Sequence, residues 1–439
     1  MTNQVGKRRL PQQEPRRDGY ADAFYTFVRK WVATLKSVLN SGKTATAELC
    51  RNVYTNHKFV RSVAFALFYV HTLLQFTRLR KNEKQKTLLF MINSLSDGGA
   101  ERVVATLTSD LARRWRVVIL SIKENHISYP IAPNVRVLLL PKALFIPEFR
   151  RIIPSVELRL LVILTSFLKK KLGVYATISF LCDMNHLNAS SKGVGKVICC
   201  ERNNPFKDPV TFRAIDQIKT NYEDADHVVF QTEDIRKLFN DKAKEHSSIL
   251  RNPIDVACER KGVVKKRIVN VGRLVPQKNQ AMLIRTFKRF HDLHPEYTLS
   301  IYGRGYLKDD LKKLVENLNL KKVVVLEGQS SQIHRDIADA EFFVLSSDYE
   351  GYSNALLEAM TMGLPCISTD CEGSTDAITN GVDGVIVPRG DEDALFKAML
   401  TFAEHEDFRE LLGKQAKKTE ERFQRKRIVQ EWEEMIKLI

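Results

Sequence analysis

The sequence is short of paired cysteines, of long apolar runs and of acidic charge, and each shortage excludes a class of protein. Its seven cysteines (Cys50, Cys182, Cys199, Cys200, Cys258, Cys366 and Cys371) are odd in number and include no C-x-x-C pair. Several lie inside apolar runs, so they read as reduced, mostly buried thiols of a cytoplasmic protein rather than a disulfide frame or a zinc site. The longest N-terminal apolar stretch, Val63–Leu74, has 12 residues, against the ~20 that a membrane-spanning helix needs. The segment up to Gly19 is polar and basic without an apolar core, so no secretory signal is expected. Neither zinc-finger spacing nor a nucleic-acid motif is present, and no nucleic-acid partner is expected.

Acidic residues number 52 against 69 Lys and Arg, a net charge of +17. The excess is local. Residues 1–86 carry +12 and the remaining 353 only +5, so the explanation belongs to an N-terminal extension. Two helices are predicted there. Tyr20–Leu39 sets Phe24, Phe27, Val28, Trp31, Leu35 and Val38 at spacings of three and four, with Arg29, Lys30 and Lys36 elsewhere on the wheel. Phe59–Leu79 is more apolar and is bracketed by Lys58, Arg61, Arg78, Arg80 and Lys81. Apolar aromatic faces flanked by cations suit helices lying in the interface of an anionic membrane. Peripheral contact through residues 20–81, on the inner face of the cell membrane, is the expectation. Packing on the protein's own core or on a partner is the alternative.

From Lys86 the pattern is that of two successive α/β units. Thr87–Asn93, Arg116–Ile122, Val135–Leu140, Ala176–Phe180, Lys196–Cys200 and His227–Gln231 read as short strands with helical stretches between several of them. The series restarts with Arg267–Val271, Thr298–Tyr302, Val323–Leu326, Phe342–Ser346, Cys366–Thr369 and Gly384–Val387. A helix is expected near Asn279–His291, and one or two more over Phe408–Ile439. Two Rossmann-like domains with parallel sheets follow, 87–254 and 255–439, hinged near Asn252-Pro253-Ile254.

The loops that follow these strands carry the chemistry. Ser346 and Ser347 end a strand, Glu350 and Gly351 lie in the loop, and Ser353 or Asn354 can cap a helix running to Met362. Such a helix start presents unpaired N–H groups and a positive dipole end, suited to a diphosphate. Gly351 allows close backbone approach, and Glu358 lies one turn along the same face as Asn354, where a carboxylate can accept from ribose hydroxyls. Upstream, Gly272-Arg273-Leu274 leaves a strand and Lys278 follows; two cations there would neutralise a diphosphate leaving group. Gly303-Arg304-Gly305 adds a third glycine-bearing loop at a strand C-terminus, where open α/β sheets bind ligands.

G-R-x4-K, a G-x-G turn, E-G-x6-E-A-M and Gly363-Leu364-Pro365 together resemble glycosyltransferase family 4. Gly98-Gly99-Ala100-Glu101-Arg102 resembles that family's acceptor-side glycine loop. The resemblance covers about residues 87–439. It implies the GT-B architecture and a retaining transfer of a hexose or N-acetylhexosamine from a nucleotide diphosphate sugar, UDP by default and GDP as alternative, to a glycan or lipid-linked acceptor. It also implies that Arg273 and Lys278 hold the donor phosphates, Glu350 the transferred sugar and Glu358 the ribose, with Tyr352, Ser353 and Asn354 near the phosphates through their backbone. The family works without a metal or other cofactor, and no aspartate-rich D-x-D stands at a strand end suited to one here. Relatives place a histidine of the first domain against the donor sugar; here His186, Asn185 or Arg202 can take that place. Two other readings use the same crevice: a GT-B-like epimerase or phosphorylase, and a non-catalytic partner subunit that binds nucleotide or glycan.

Overall fold

The computed structural model describes residues 79–82, 84–96, 98–122, 127–139, 154–191, 193–260 and 266–439, together with Thr72, Phe76 and Thr77. The chain divides into two units, residues 1–75 with 140–160 and residues 76–139 with 161–439. The helices expected over Tyr20–Leu39 and Phe59–Leu79 lie almost wholly outside the described residues. Among the described residues no helix is long and apolar enough to cross a membrane.

The second unit holds two parallel sheets. The first is built from β1 (Thr87–Ile92), β2 (Arg116–Ser121), β3 (Arg136–Leu139), β4 (Val174–Phe180), β5 (Lys196–Cys200), β6 (His227–Phe230) and β7 (Ser247–Ile249), in the order β3-β2-β1-β4-β5-β6-β7. The second contains β8 (Arg267–Val271), β9 (Thr298–Tyr302), β10 (Val324–Gly328), β11 (Phe342–Leu345), β12 (Cys366–Thr369) and β13 (Val385–Val387), in the order β10-β9-β8-β11-β12-β13. Strand order reverses beside β1 and again beside β8, so each half has a switch point with a crevice at the carboxyl ends of its strands. These are two Rossmann-like domains, as the strand pattern predicts. β1 is buried along its whole length, which is why it reads as an unbroken apolar run rather than an alternating one. β7 has no such signal: two of its three residues are serine.

Helix α1 (Gly99–Leu111) buries Val103, Val104, Leu107 and Leu111 at spacings of one, three and four. Helices α2 (Cys182–Ser190) and α3 (Ile215–Asp224) follow β4 and β5. In the second half, α4 (Gln280–Leu293) is capped by Asn279, which adopts the left-handed conformation tolerated by asparagine and accepts from Met282 N. α5 (Asn354–Thr361) follows β11.

The last helix, α6 (Arg425–Leu438), packs on the first half. Its Ile428, Trp432, Met435 and Ile436 join the core under β1 and β4, and the Trp432 ring stacks on Phe180 with centroids 6.1 Å apart. An earlier helix, Glu406–Lys417, instead places Leu412 and Ala416 in the cores of the second half. The chain therefore crosses between the halves twice.

Trp432 is fully buried, so Trp432→Ala should cost about 3–5 kcal/mol, read as a lowered denaturation midpoint. His227, on β6, hydrogen-bonds Ser248 at 2.8 Å and burial, with His246 nearby, lowers its pKa to about 4. The unfolded ring titrates near 6.5 and binds the proton first, so stability is lost as pH falls from about 6.5 toward 4. A His227→Gln variant should flatten that part of the unfolding free-energy profile.

Candidate functional site

The glycine turns of the second half are packed against one another, backbone to backbone. Gly272 N donates to Tyr302 O and Leu274 N to Arg304 O, each at 2.9 Å. Gly303 has φ of 146°, and a Cβ there would stand 1.9 Å from the Gly272 carbonyl oxygen. Only glycine satisfies both demands. Gly305 is equally tight against Leu274 O, at 2.1 Å. The stacked turns leave Arg273 exposed and bring Lys278, at the end of the 3-10 turn Pro276–Lys278, inward.

Lys278 meets the loop after β11. Its Nζ forms an ion pair with Glu350 Oε1, and Ser347 Oγ donates to the same oxygen at 2.7 Å. Ser346 Oγ donates to Lys278 O, and Gln277 Nε2 to Tyr349 O, so the two loops are tied along their length. Glu350 is buried. Ser353 caps α5 by accepting from Leu356 N, which leaves the free N–H groups of that helix start beside the Lys278–Glu350 pair. Tyr352 turns its ring into the core, where its hydroxyl donates to Asp376 at 2.6 Å. Glu358, one turn into α5, is buried between two partners: Arg102 Nη1 at 2.5 Å and His334 Nε2 at 3.2 Å.

The first half supplies the opposite wall. Gly98 and Gly99 open α1, and Gly99 O accepts from Asn354 Nδ2 at 3.3 Å. Arg202, after β5, is buried with its guanidinium 5.0 Å from the Phe180 ring centre. Its Nη2 donates to Asn252 Oδ1 at 2.8 Å. Burial lowers the Arg202 pKa to about 10. Burial also pushes the neighbouring Glu201 carboxyl up, against hydrogen bonds from Tyr222 OH and from the Asn203 and Arg202 amides. Gly351 closes onto this wall: a Cβ there would lie 2.3 Å from Arg202 O. Its lack of a side chain therefore serves contact between the halves.

Asn185 and His186 are not brought to this group. Asn185 Oδ1 accepts from Ser179 Oγ at 2.8 Å, and its Nδ2 donates to Cys200 O at 3.0 Å, so the amide is occupied inside the first half. His186 Nδ1 lies 3.0 Å from Asn221 Oδ1, which turns the ring toward α3. Of the three residues considered, Arg202 is the one whose backbone meets Gly351 of the second half. Across the other rim, Asn204 Nδ2 and Lys207 Nζ both reach Glu372 Oε1. Burial opposes the charge of Glu372, but the Lys207 and Asn204 hydrogen bonds hold its carboxyl below the usual value.

Sequence reasoning did not single out Asn252, His334 or Glu372 as functional, and it quoted Arg102 only as part of the glycine loop. Their meeting depends on segments far apart in the chain, and no local spacing announces it. A Gly351→Ala variant must separate the halves or shift the loop, so a loss of about 1–3 kcal/mol in stability is expected. Calorimetry of that variant beside the parent protein checks the loss.

The arrangement suits a diphosphate, with two cations and a helix start on one side of a closed cleft. Residues 258–419 match the model of glycosyl transferases group 1. The chain is 29% identical over 369 residues to a Campylobacter jejuni N-acetylgalactosamine-N,N'-diacetylbacillosaminyl-diphospho-undecaprenol 4-alpha-N-acetylgalactosaminyltransferase, covering 79% of this chain and 98% of that one. A second C. jejuni relative, GalNAc-alpha-(1->4)-GalNAc-alpha-(1->3)-diNAcBac-PP-undecaprenol alpha-1,4-N-acetyl-D-galactosaminyltransferase, is 24% identical over 79% of this chain and 97% of its own length. Among solved structures, Anabaena HepE in complex with UDP and glucose superposes with a TM-score of 0.65 at 15% identity, over 81% of this chain and all of that one. Staphylococcus aureus TarM, bound to fondaparinux, alpha-GlcNAc-glycerol and UDP, gives 0.67 at 14% identity over 80% and 100%. With the two-sheet fold already described, these likenesses make the chain a glycosyltransferase of GT-B architecture.

Proposed function

We propose that this enzyme belongs to glycosyltransferase family 4 and moves a hexose or N-acetylhexosamine, with retention, from a UDP-sugar to a lipid-linked glycan during polysaccharide or glycolipid biosynthesis. The observation that carries the reading is the convergence of Arg273, Lys278, Glu350 and the start of α5 at the switch point of the second sheet. UDP is named in the HepE and TarM complexes, and diphospho-undecaprenol acceptors are named for the C. jejuni relatives. Residues 255–439 would hold the donor and 87–254 the acceptor.

In this reading Arg273, Lys278 and the N–H groups at the start of α5 take up the charge that develops on the departing diphosphate, the work a metal ion does elsewhere. Glu350 holds the hydroxyls of the sugar. The C1–O bond to phosphate breaks while the acceptor oxygen bonds C1 on the same face. The acceptor's proton passes to an oxygen of the leaving phosphate, so no separate base is required. Arg202 closes the wall on the acceptor side. Residues 20–81 would carry the enzyme to the inner face of the membrane that presents the acceptor.

Lys278→Ala and Glu350→Gln should each lower the turnover of UDP-sugar by about 100-fold or more, followed as UDP release with an undecaprenyl diphosphate-linked acceptor. Circular dichroism at the assay temperature checks that each variant stays folded, since breaking this mostly buried pair also costs stability. Full turnover in Lys278→Ala overturns the assignment. A thermal-shift comparison of UDP with GDP, each with and without magnesium, reads the donor class. A ligand at 100 times its dissociation constant adds about 2.7 kcal/mol of stability. Removing residues 1–86 should abolish co-sedimentation with anionic vesicles, and unchanged sedimentation would show that the extension does not bind them.

A further inference from the structure

Glu358 is a buried carboxylate of the cleft that is met by both halves at once. Arg102 comes from the second turn of α1 in the first half, and its Nη1 lies 2.5 Å from Glu358 Oε1. On the other side His334 Nδ1 accepts from Ala257 N at 3.0 Å. That bond leaves the ring proton on Nε2, which lies 3.2 Å from Glu358 Oε2 without the alignment of a hydrogen bond. The line from the linker at Ala257 through His334 and Glu358 to Arg102 thus joins the hinge segment to α1. The Glu358 side chain is 5% exposed, and that of Arg102 is 30% exposed.

A carboxylate offers about four lone-pair directions, so both oxygens of Glu358 keep acceptor capacity after meeting Arg102. A pair of adjacent hydroxyls can use both. Without the guanidinium the carboxylate would be free to rotate about its terminal torsion, which is broad for glutamate. An arginine that fixes it on a rigid helix removes that freedom before the ligand arrives.

We propose that Arg102 is a positioning residue for the donor: it acts through Glu358 on the ribose hydroxyls and makes nucleotide affinity depend on the closed placement of α1. This rests on the reading that Glu358 receives the ribose.

The test is a cycle of protein and ligand changes, with dissociation constants measured by calorimetry on the full chain. The ligands are UDP and 2',3'-dideoxy-UDP; the proteins are the parent, Arg102→Met, Arg102→Lys and Glu358→Gln. Arg102→Met keeps the aliphatic stem and should weaken UDP by about tenfold, the size of one charge-assisted hydrogen bond. The same variant should change dideoxy-UDP by less than about twofold, and Arg102→Lys should recover part of the loss. Binding of the dideoxy ligand at parental strength also shows that the variants are folded. Equal weakening of both ligands, unchanged UDP binding or tighter UDP binding in Arg102→Met would each overturn the proposal. Glu358→Gln tests the underlying reading separately: if it fails to discriminate between the two ligands, Glu358 does not receive the ribose, whatever Arg102 does.

Discussion

The closed cleft turns on one side-chain amide. Asn252 stands where the chain leaves the first sheet, almost fully buried. Its Oδ1 accepts from Arg202 Nη2 and from Gln231 Nε2, both at 2.8 Å. Its Nδ2 donates to Asn354 Oδ1 at 2.5 Å and to Tyr352 O at 3.4 Å. Arginine can only donate, so the oxygen must face Arg202, and the amide nitrogen is thereby aimed at the second half. Arg202 from the wall, the chain crossing and the start of α5 are thus set relative to one another by one group. The tight approach of Gly351 to Arg202 O follows from that setting.

Around this centre the contacts between the halves are polar and sit at the rims: Arg102 with Glu358, and Lys207 and Asn204 with Glu372. The apolar cores, by contrast, are separate for the two halves. A domain interface without a shared apolar core is the kind that opens. Glu350 and Lys278, both on the second half and mostly buried, behave differently. Their pair lies wholly within the second half, so it does not depend on contact with the first.

Much of this was legible in the sequence, because strands of a parallel sheet announce themselves as apolar runs and their carboxyl-end loops carry glycine. Arg273, Lys278, Glu350, Ser353 and Glu358 are read as site residues on that ground, and the structure pairs Lys278 with Glu350 and caps α5 with Ser353. What stayed hidden depends on long-range packing. Asn185 and His186 follow a strand as a wall residue should, yet α2 rotates Asn185 onto Cys200 O and His186 onto Asn221. Tyr352 sits in a ligand loop by sequence, while its ring belongs to the core beside Phe423. Asn252 looked like a linker residue, and His334 had no motif around it. The destination of α6 was equally unreadable, since its apolar spacing of three and four fits either half.

That destination has a mechanical consequence. Ile254 N donates to Phe423 O at 2.9 Å where the outgoing and returning crossings run side by side. Arg425, at the start of α6, clamps Asp110 of α1 at 2.6 Å and Asp255 of the linker at 3.1 Å. A cavity of about 790 Å3 opens there, lined by Asp110, Asp255, Thr361, Arg425 and Glu433 among others. The amino ends of α1 and α5 face the cleft, while Asp110 near the carboxyl end of α1 and Thr361 at that of α5 line this cavity. The two helices therefore span from cleft to cavity. Two crossings joined by a hydrogen bond and a shared arginine form a short axis between the two openings. The Gly98-Gly99 loop and Arg102 stand at the cleft end of α1, opposite the end that Arg425 clamps.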